Sequence, residues 1–597
     1  MSENNSRAVS PPSNVDDDPD LALAIALSLQ SGSAIAANFS DDSSSARAEP
    51  SLPPPKVGAG RAFGTLTLDR EQMEKERLAR ALKRSSEQAG LEDAVEKPKL
   101  SRLEAPNTWD PSLGKLDCSE KSDHPNDPCL PFPNGIFKRT WALGHLRTGD
   151  DIKIEEVLQK DRLQLAVLSS FQWDEEWLLS KIDCSRTKTI LVAYAADDAQ
   201  KAIMQSNVPV EQILKFEGYL RVVIPSGNLV PYDWGENGVL ENMVFLIDLP
   251  RLNDTQGIAP PVETPFGTEL RYFLRALGLD EKLVKSLDNY DFSETSRYGF
   301  VHTISGSHTG DSRWRYCGLA NTVRCLGLAT DHNVDVDYLA SSLGSLNHGY
   351  LKHIYDACRG NSGLGNRDVK KLQSTDKRTG KAGGPVAGTG VNATVELQRH
   401  FRIYFPTEKT VSKSRGGRSA AGTICVQEKW WKSSTFPREL LRDCESAREG
   451  LLLHSKAIFV RGNSRGGGGS GAWAYVGSAN LSESAWGRLV KDRQLGTTKL
   501  NCRNWECGVL VAVNTATDGA GPRTRWGAGR GAQSQGQSLM RMASQSEGIA
   551  AVQQHDESAL LKRVFATTMP IPMKVPTGCY ASDESAASRP WFFMKSG

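Results

Sequence analysis

The sequence predicts an α/β fold in two similar halves related by a pseudo-twofold axis and preceded by a disordered tail. Three observations carry this. From Gly135 onward, helix-like and strand-like stretches alternate, the order that builds a sheet with helices on its faces. A motif then recurs, because Val222 to Gly235, VVIPSGNLVPYDWG, lines up with Ala474 to Gly487, AYVGSANLSESAWG, as S-x-N-L-x-x-x-x-W-G. Beyond each copy a glutamate heads an apolar run, Glu241 before NMVFLI and Glu506 before CGVLVA. An internal repeat outranks local propensity, and halves so related meet at equivalent surfaces.

Residues 1–130 are rich in Ser, Pro, Asp, Lys and Glu with few aromatics, a composition that buries too little surface to offset chain entropy. Within this tail, acidic Asp16, Asp17, Asp18 and Asp20 precede LALAIALSLQ, ending at Gln30. That pattern gives an amphipathic helix with a small apolar face. It resembles a ubiquitin-interacting motif, a chance Ala/Leu helix being the alternative. The basic stretches Glu71 to Arg84 and Lys97 to Arg102 read as a nuclear-import signal or as solvated linker.

The first half is expected over 131–312. Asp150 to Lys160, Trp173 to Ile182 and Asp197 to Ser206 read as helices, and Thr189 to Ala195 as a buried strand. The hairpin Ile213 to Ile224, the strand Met243 to Asp248 and the helices Thr268 to Leu279 and Glu281 to Leu287 follow. The second half, 313–597, opens near Trp314, where Tyr316 to Gly327 and Val336 to Ala340 lead into SSLGSL. Ser341, Ser342 and Ser345 there suit either helix and turn caps or phosphate contacts. Trp430 and Trp431 suit either base stacking or packing. Lys371 to Asn392 and Thr515 to Glu547 read as surface insertions.

The chemistry concentrates in Leu451 to Asn480. In LLLHSKAIFV, His454 and Lys456 share one face of an extended chain. A glycine-rich turn at 462–471 returns it as the strand Ala472 to Val476, which delivers Ser478 and Asn480 beside a helix start at Ser482. A cation, an amide and an acid/base group together suit a phosphate. Composition adds limits. Basic and acidic residues number 72 and 70, with a pI of about 7.9, so any nucleic-acid groove must be a local patch. The 11 cysteines are odd in number and never in a C-x-x-C pair, which indicates neither a disulfide framework nor a zinc site. No apolar run of about 18 residues and no leader is present, arguing against a membrane span or secretion.

His-x-Lys, then Asn, then Glu, in two related halves resembles the phospholipase D superfamily, and its tyrosyl-DNA phosphodiesterase branch in carrying Asn rather than Asp. The stretches TWALGHLRTGDDIKIEEVLQK, LSSFQWDEEWLLSKID, FEGYLRVVIPSGNLVPYDWGENGVLENMVFLIDLPRL, SSLGSL and RPWFF are similar to fungal members. The resemblance implies two phospholipase D-like sandwiches and a nuclear, monomeric DNA-repair phosphodiesterase needing no cofactor or metal. Its partner would be a DNA 3′ end carrying a covalent protein adduct. His454, Lys456, Asn480, Glu506, Asn228 and Glu241 would be catalytic, each glutamate holding an imidazole nitrogen, and Ser341, Ser342, Ser345 and Ser482 would contact DNA. A first-half histidine would attack the 3′ phosphorus and displace tyrosine; His454 would protonate the leaving phenolate, then activate water. This chain departs from that pattern. The first-half His-x-Lys should fall around Val208 to Gln212, and no histidine is there. Three readings follow: an active repair enzyme whose segment at Pro209-Val210 was lost from the gene model, a catalytically dead DNA-binding scaffold, and, less well matched, a phospholipid-cleaving enzyme.

Overall fold

The computed structural model describes residues 130–192, 211–252, 262–308, 317–361, 389–462, 471–491, 498–513, 561–575, 577–580 and 589–592. The expected helices at 16–30 and 197–206, the basic stretches, most of the 371–392 insertion and all of that at 515–547 lie outside them.

Two seven-stranded mixed sheets form the frame. The first uses β1 (Ile136–Thr140), β2 (Asp151–Ile152), β3 (Leu165–Ser169), β4 (Lys188–Val192), β5 (Glu211–Phe216) and β6 (Tyr219–Pro225); a two-residue β7 (Leu240–Glu241) then leads into its last strand, β8 (Met243–Pro250). The second opens with β9 (Tyr298–Thr303); β10 (Gly306–His308) leaves it for a small separate sheet, and β11 (Val334–Leu339), β12 (Phe401–Phe405) and β13 (Leu441–Asp443) continue it. After a two-residue β14 (Leu452–Leu453) come β15 (Ala457–Gly462) and β16 (Trp473–Gly477); β17 (Arg488–Lys491) and β18 (Thr498–Cys502) join β10, and β19 (Glu506–Ala512) completes the second sheet.

Six strands of each sheet match. The order β1-β8-β6-β5-β3-β4 corresponds to β9-β19-β16-β15-β11-β12. Every step is antiparallel except the last, which is parallel in both. The α/β fold in two similar halves predicted from the repeat is therefore present as a duplicated topology.

Strand alternation divides the side chains between cores. Leu220, Val222 and Ile224 of β6 face inward and share a core with Phe459, Val476 and Val509 of the second sheet. Tyr219 and Val223 face outward, against Val157 and Leu178 of the short helices Ile154–Leu158 and Glu175–Ser180. The second sheet's outer face packs through Val336 and Ile458 on Val323, Ile354 and Leu397 of the helices Cys317–Cys325, His348–Cys358 and Thr389–His400. Four layers result, helix, sheet, sheet and helix. Burial on both faces explains the nearly continuous apolar run of β8, MVFLIDLP. Its one charge, Asp248, is fully buried and forked by Arg221 at 2.6 and 2.9 Å, a pair whose breakage on one side costs roughly 3–5 kcal/mol.

Three expectations change. The strand read as buried at Thr189 to Ala195 is the edge strand β4, paired only with β3 and partly exposed; its apolar residues follow from β propensity rather than full burial. The window Asp150 to Lys160 holds β2 and a one-turn helix that stops where Gln159 takes a left-handed φ of 45°. The division at 312/313 falls late, since β9 already pairs with β19 of the second sheet. Among the described residues, no helix is long and apolar enough to cross a membrane.

Candidate active site at the seam of the two halves

The halves are joined by a short parallel ladder, in which Leu240 of β7 faces Leu452 of β14 and Glu241 faces Leu453. The His454 N–H extends it, donating to the Glu241 carbonyl at 3.0 Å, and Ser455 Oγ donates to the same oxygen at 3.2 Å. His454 and Lys456 lie between β14 and β15 rather than within a strand. Both side chains nevertheless reach the same way, into the first half.

His454, 7% exposed, is held at Nδ1 by Asp233 Oδ1 at 2.9 Å. Asp233, fully buried, also accepts from the Asn228 backbone N–H at 2.6 Å and from Asn242 Nδ2 at 3.0 Å. Burial alone would raise its carboxyl, but His454, these hydrogen bonds and Lys456 outweigh it and hold the group below its usual range. Burial lowers the imidazole, with Lys456 adding to the effect and Asp233 opposing it. The pair is therefore a neutral imidazole against a carboxylate. With the proton on Nδ1, Nε2 keeps its lone pair, and Asp233 stabilises the imidazolium whenever Nε2 takes a proton.

Lys456, 3% exposed, donates to the Ser226 carbonyl at 3.0 Å and the His454 carbonyl at 2.6 Å, which leaves one N–H for a ligand. Burial lowers this ammonium to about 8, against the attraction of Asp233 and Glu506. Asn480 Oδ1 accepts from the Ser342 N–H at 2.9 Å and from Ser341 Oγ at 3.2 Å. A backbone N–H can only donate, so that contact fixes the amide orientation and leaves the Asn480 NH2 to donate elsewhere. Each repeated tryptophan braces an asparagine loop: Trp234 Nε1 donates to the Asn228 carbonyl at 3.1 Å, and Trp486 Nε1 to Tyr338 Oη at 2.8 Å, which donates to the Ala479 carbonyl at 3.2 Å.

The two glutamates are not equivalent. Ser478 Oγ donates to Glu506 at 2.5 Å while accepting from the Cys507 N–H at 3.1 Å. In the first half Ser226 Oγ donates to Asn242 at 3.0 Å and accepts from the Met243 N–H at 2.9 Å. Asn242, not Glu241, thus occupies the Glu506 position. Glu241 is buried one residue earlier, bonded to Arg448 with Arg139 at 3.9 Å, and the acid at His454 is Asp233. The expectation that Glu241 holds an imidazole is corrected accordingly. Glu506, raised by burial although Ser478, Asn504 and Lys456 oppose this, accepts from Asn504 Nδ2 at 2.9 Å.

Asp233 escaped the sequence reading because Ala485 stands at its place in the second repeat. The signal was that asymmetry, an acid present in only one copy. Pairing also pins the first-half gap. Val476 of β16 faces Ala457, and its repeat equivalent Ile224 continues the β5–β6 register to Glu211. Counting back, the counterparts of His454 and Lys456 are Val208 and Val210, both outside the described residues.

The serine loop runs beside Asn480, with Leu343 bridged to Leu481 and the Gly344 N–H donating to the Leu481 carbonyl at 3.0 Å. Ser341 is buried and spent on Asn480, Ser482 caps the one-turn helix Glu483–Trp486, and Ser345 is exposed. Trp431 packs on Phe436 and Tyr580. Arg589 pairs with Glu408 at 2.8 Å, and Trp591 Nε1 donates to the Ala421 carbonyl at 3.2 Å.

A sequence profile of the tyrosyl-DNA phosphodiesterase family matches residues 136–581. Tyrosyl-DNA phosphodiesterase 1 of Arabidopsis thaliana is 23% identical over 406 residues, 60% of this chain and 58% of that protein. Its namesake in Drosophila melanogaster is 23% identical over 311 residues, 50% of this chain and 48% of that one. The chain thus spans about half the length of these curated relatives. The crystal structure of the yeast tyrosyl-DNA phosphodiesterase is similar at 18% identity and a TM-score of 0.44, covering 63% of this chain and 90% of that chain.

Proposed function

The chain belongs to the tyrosyl-DNA phosphodiesterase family, and from that premise we propose that its seam binds the 3′ phosphodiester of DNA ends carrying a phosphotyrosyl or other adduct. The observation that carries this is the Asp233–His454 pair beside Lys456 and Asn480. Lys456 and the Asn480 amide, with Asn228 from the other half, hold the non-bridging oxygens. Ser342, Ser345 and Ser482 extend the contact along the backbone, with Ser341 acting through Asn480. His454 Nε2, once protonated, gives its proton to the leaving phenolate and afterwards takes one from water.

The complete reaction needs a nucleophile opposite His454, and at the sequence positions equivalent to His454 and Lys456 the chain has Val208 and Val210. A valine cannot attack phosphorus, so a phosphohistidine intermediate has no donor and only direct attack by water remains. This favours a second reading, a protein that binds 3′ ends and turns them over slowly, with the 16–30 segment as a proposed ubiquitin contact and the nucleus as its place of action.

The test compares the chain with its Val208→His/Val210→Lys variant for release of a phenol from a 3′-aryl phosphodiester on single-stranded DNA. The variant should gain on the order of a thousandfold or more and show a covalent protein–DNA adduct on denaturing gels. Equal rates would mean that the nucleophile lies elsewhere.

A further inference from the structure

At the far end of β5, around Lys215, a cavity of about 160 Å³ lies between the inner face of the first sheet and the helices Pro265–Ala276 and Glu281–Lys285. Its walls are mostly apolar, as at Val167, Ile213 and Leu274, with Ser286, Asn289 and Tyr290 adding polar groups, and among the described residues its only charged lining is Lys215 and Arg251. Lys215 is half-buried and Arg251 exposed, which places both charges toward the opening. Alternation along β5 puts Lys215 on the inner face with Ile213, where the pattern calls for an apolar side chain. The neighbouring Arg271 and Arg275 are paired with Asp288 at 2.9 Å and Glu281 at 3.0 Å. Among the described residues, Lys215 and Arg251 have no such partner.

A mostly apolar space of about this size accepts a benzene-sized guest, since water held against its apolar walls lacks polar partners. Two unpaired cations at the opening select an anionic head. We infer that this cavity binds a small amphipathic carboxylate, its tail of about six to eight carbons in the apolar walls and its head between Lys215 and Arg251. Affinity then grows about fourfold per methylene, the burial value for one CH2, and levels off once the tail exceeds the cavity.

Calorimetric titration of the full chain with butanoate, hexanoate, octanoate and dodecanoate, beside octanol and octylamine, tests this. One saturable octanoate site is expected, with octanol at least about tenfold weaker and octylamine weaker still. Lys215→Gln/Arg251→Gln should lower octanoate affinity about tenfold and remove the preference over octanol. Leu274→Phe should abolish binding by filling the space, and Ile213→Phe serves if that variant melts early. Excess single-stranded DNA should leave octanoate binding unchanged, because the seam is a separate site. Equal binding of the three eight-carbon probes, displacement by DNA, or no saturation at millimolar octanoate would overturn the inference.

Discussion

Burial lowers the proton affinity of two side chains at the seam, so both respond to pH in the same sense. The His454 imidazole is lowered by burial and by Lys456, with Asp233 pulling the other way. Asp233→Asn removes that pull, so the imidazole midpoint should drop further, as read by NMR titration. An amide can also donate to Nδ1 and fix the wrong tautomer; in the Val208→His/Val210→Lys background kcat should therefore fall about 10- to 100-fold. Lys456, at about 8 when folded against 10.5 ordinarily, has two consequences. For binding, the charge that attracts phosphate is present below about pH 8 and lost above it, so 3′-end affinity should decline through that point. For folding, the unfolded chain holds the extra proton between about 8 and 10.5, so this residue's contribution to stability improves as pH rises through that window, and below it the buried charge costs its full amount. Lys456→Met should consequently stabilise the protein at pH 7 by roughly 1–3 kcal/mol, a gain that shrinks at pH 10, while 3′-end binding weakens. Thermal melts at the two pH values check the sign.

At the scale of strands and loops, the hairpin of β5 and β6, the strand β8 and the repeated S-x-N-L motif were legible in the sequence because alternation and turn residues mark them locally. Register was not. Glu241 and Glu506 both head apolar runs, and only cross-strand pairing shows that Asn242 is the true counterpart of Glu506. Arg448, which neutralises Glu241, lies 207 residues away, beyond any local pattern. Ser482 is a helix cap, while Ser341 and the Ser342 N–H orient Asn480, a long-range contact that no local pattern announces. Gly344 shows how closely these loops approach: an added Cβ would sit 2.8 Å from Ser482 Cβ and 3.1 Å from its Cα. Gly344→Ala should therefore destabilise by roughly 1–3 kcal/mol and displace Asn480. Denaturation together with 3′-end binding measures both effects, and unchanged binding would separate the loop from the site.

For the whole molecule, the core shared by the two sheets predicts cooperative unfolding. The two inner faces and the helix Pro265–Ala276 share one core cluster, so tryptophan fluorescence and circular dichroism should follow one coincident denaturant transition. Separate transitions would mean that each half closes on its own. The duplicated topology also bears on assembly. Each half presents to the other the same six-strand face, so two copies of the second half could pair as an isologous dimer across an equivalent seam. Such a dimer would set one copy's His454 and Lys456 where this chain has Val208 and Val210, and would bring each Glu506 toward an imidazole from its mate. On the function proposed above, the symmetry of the duplicated topology thus supplies a design for a two-histidine homodimer built from the half that carries His454 and Lys456.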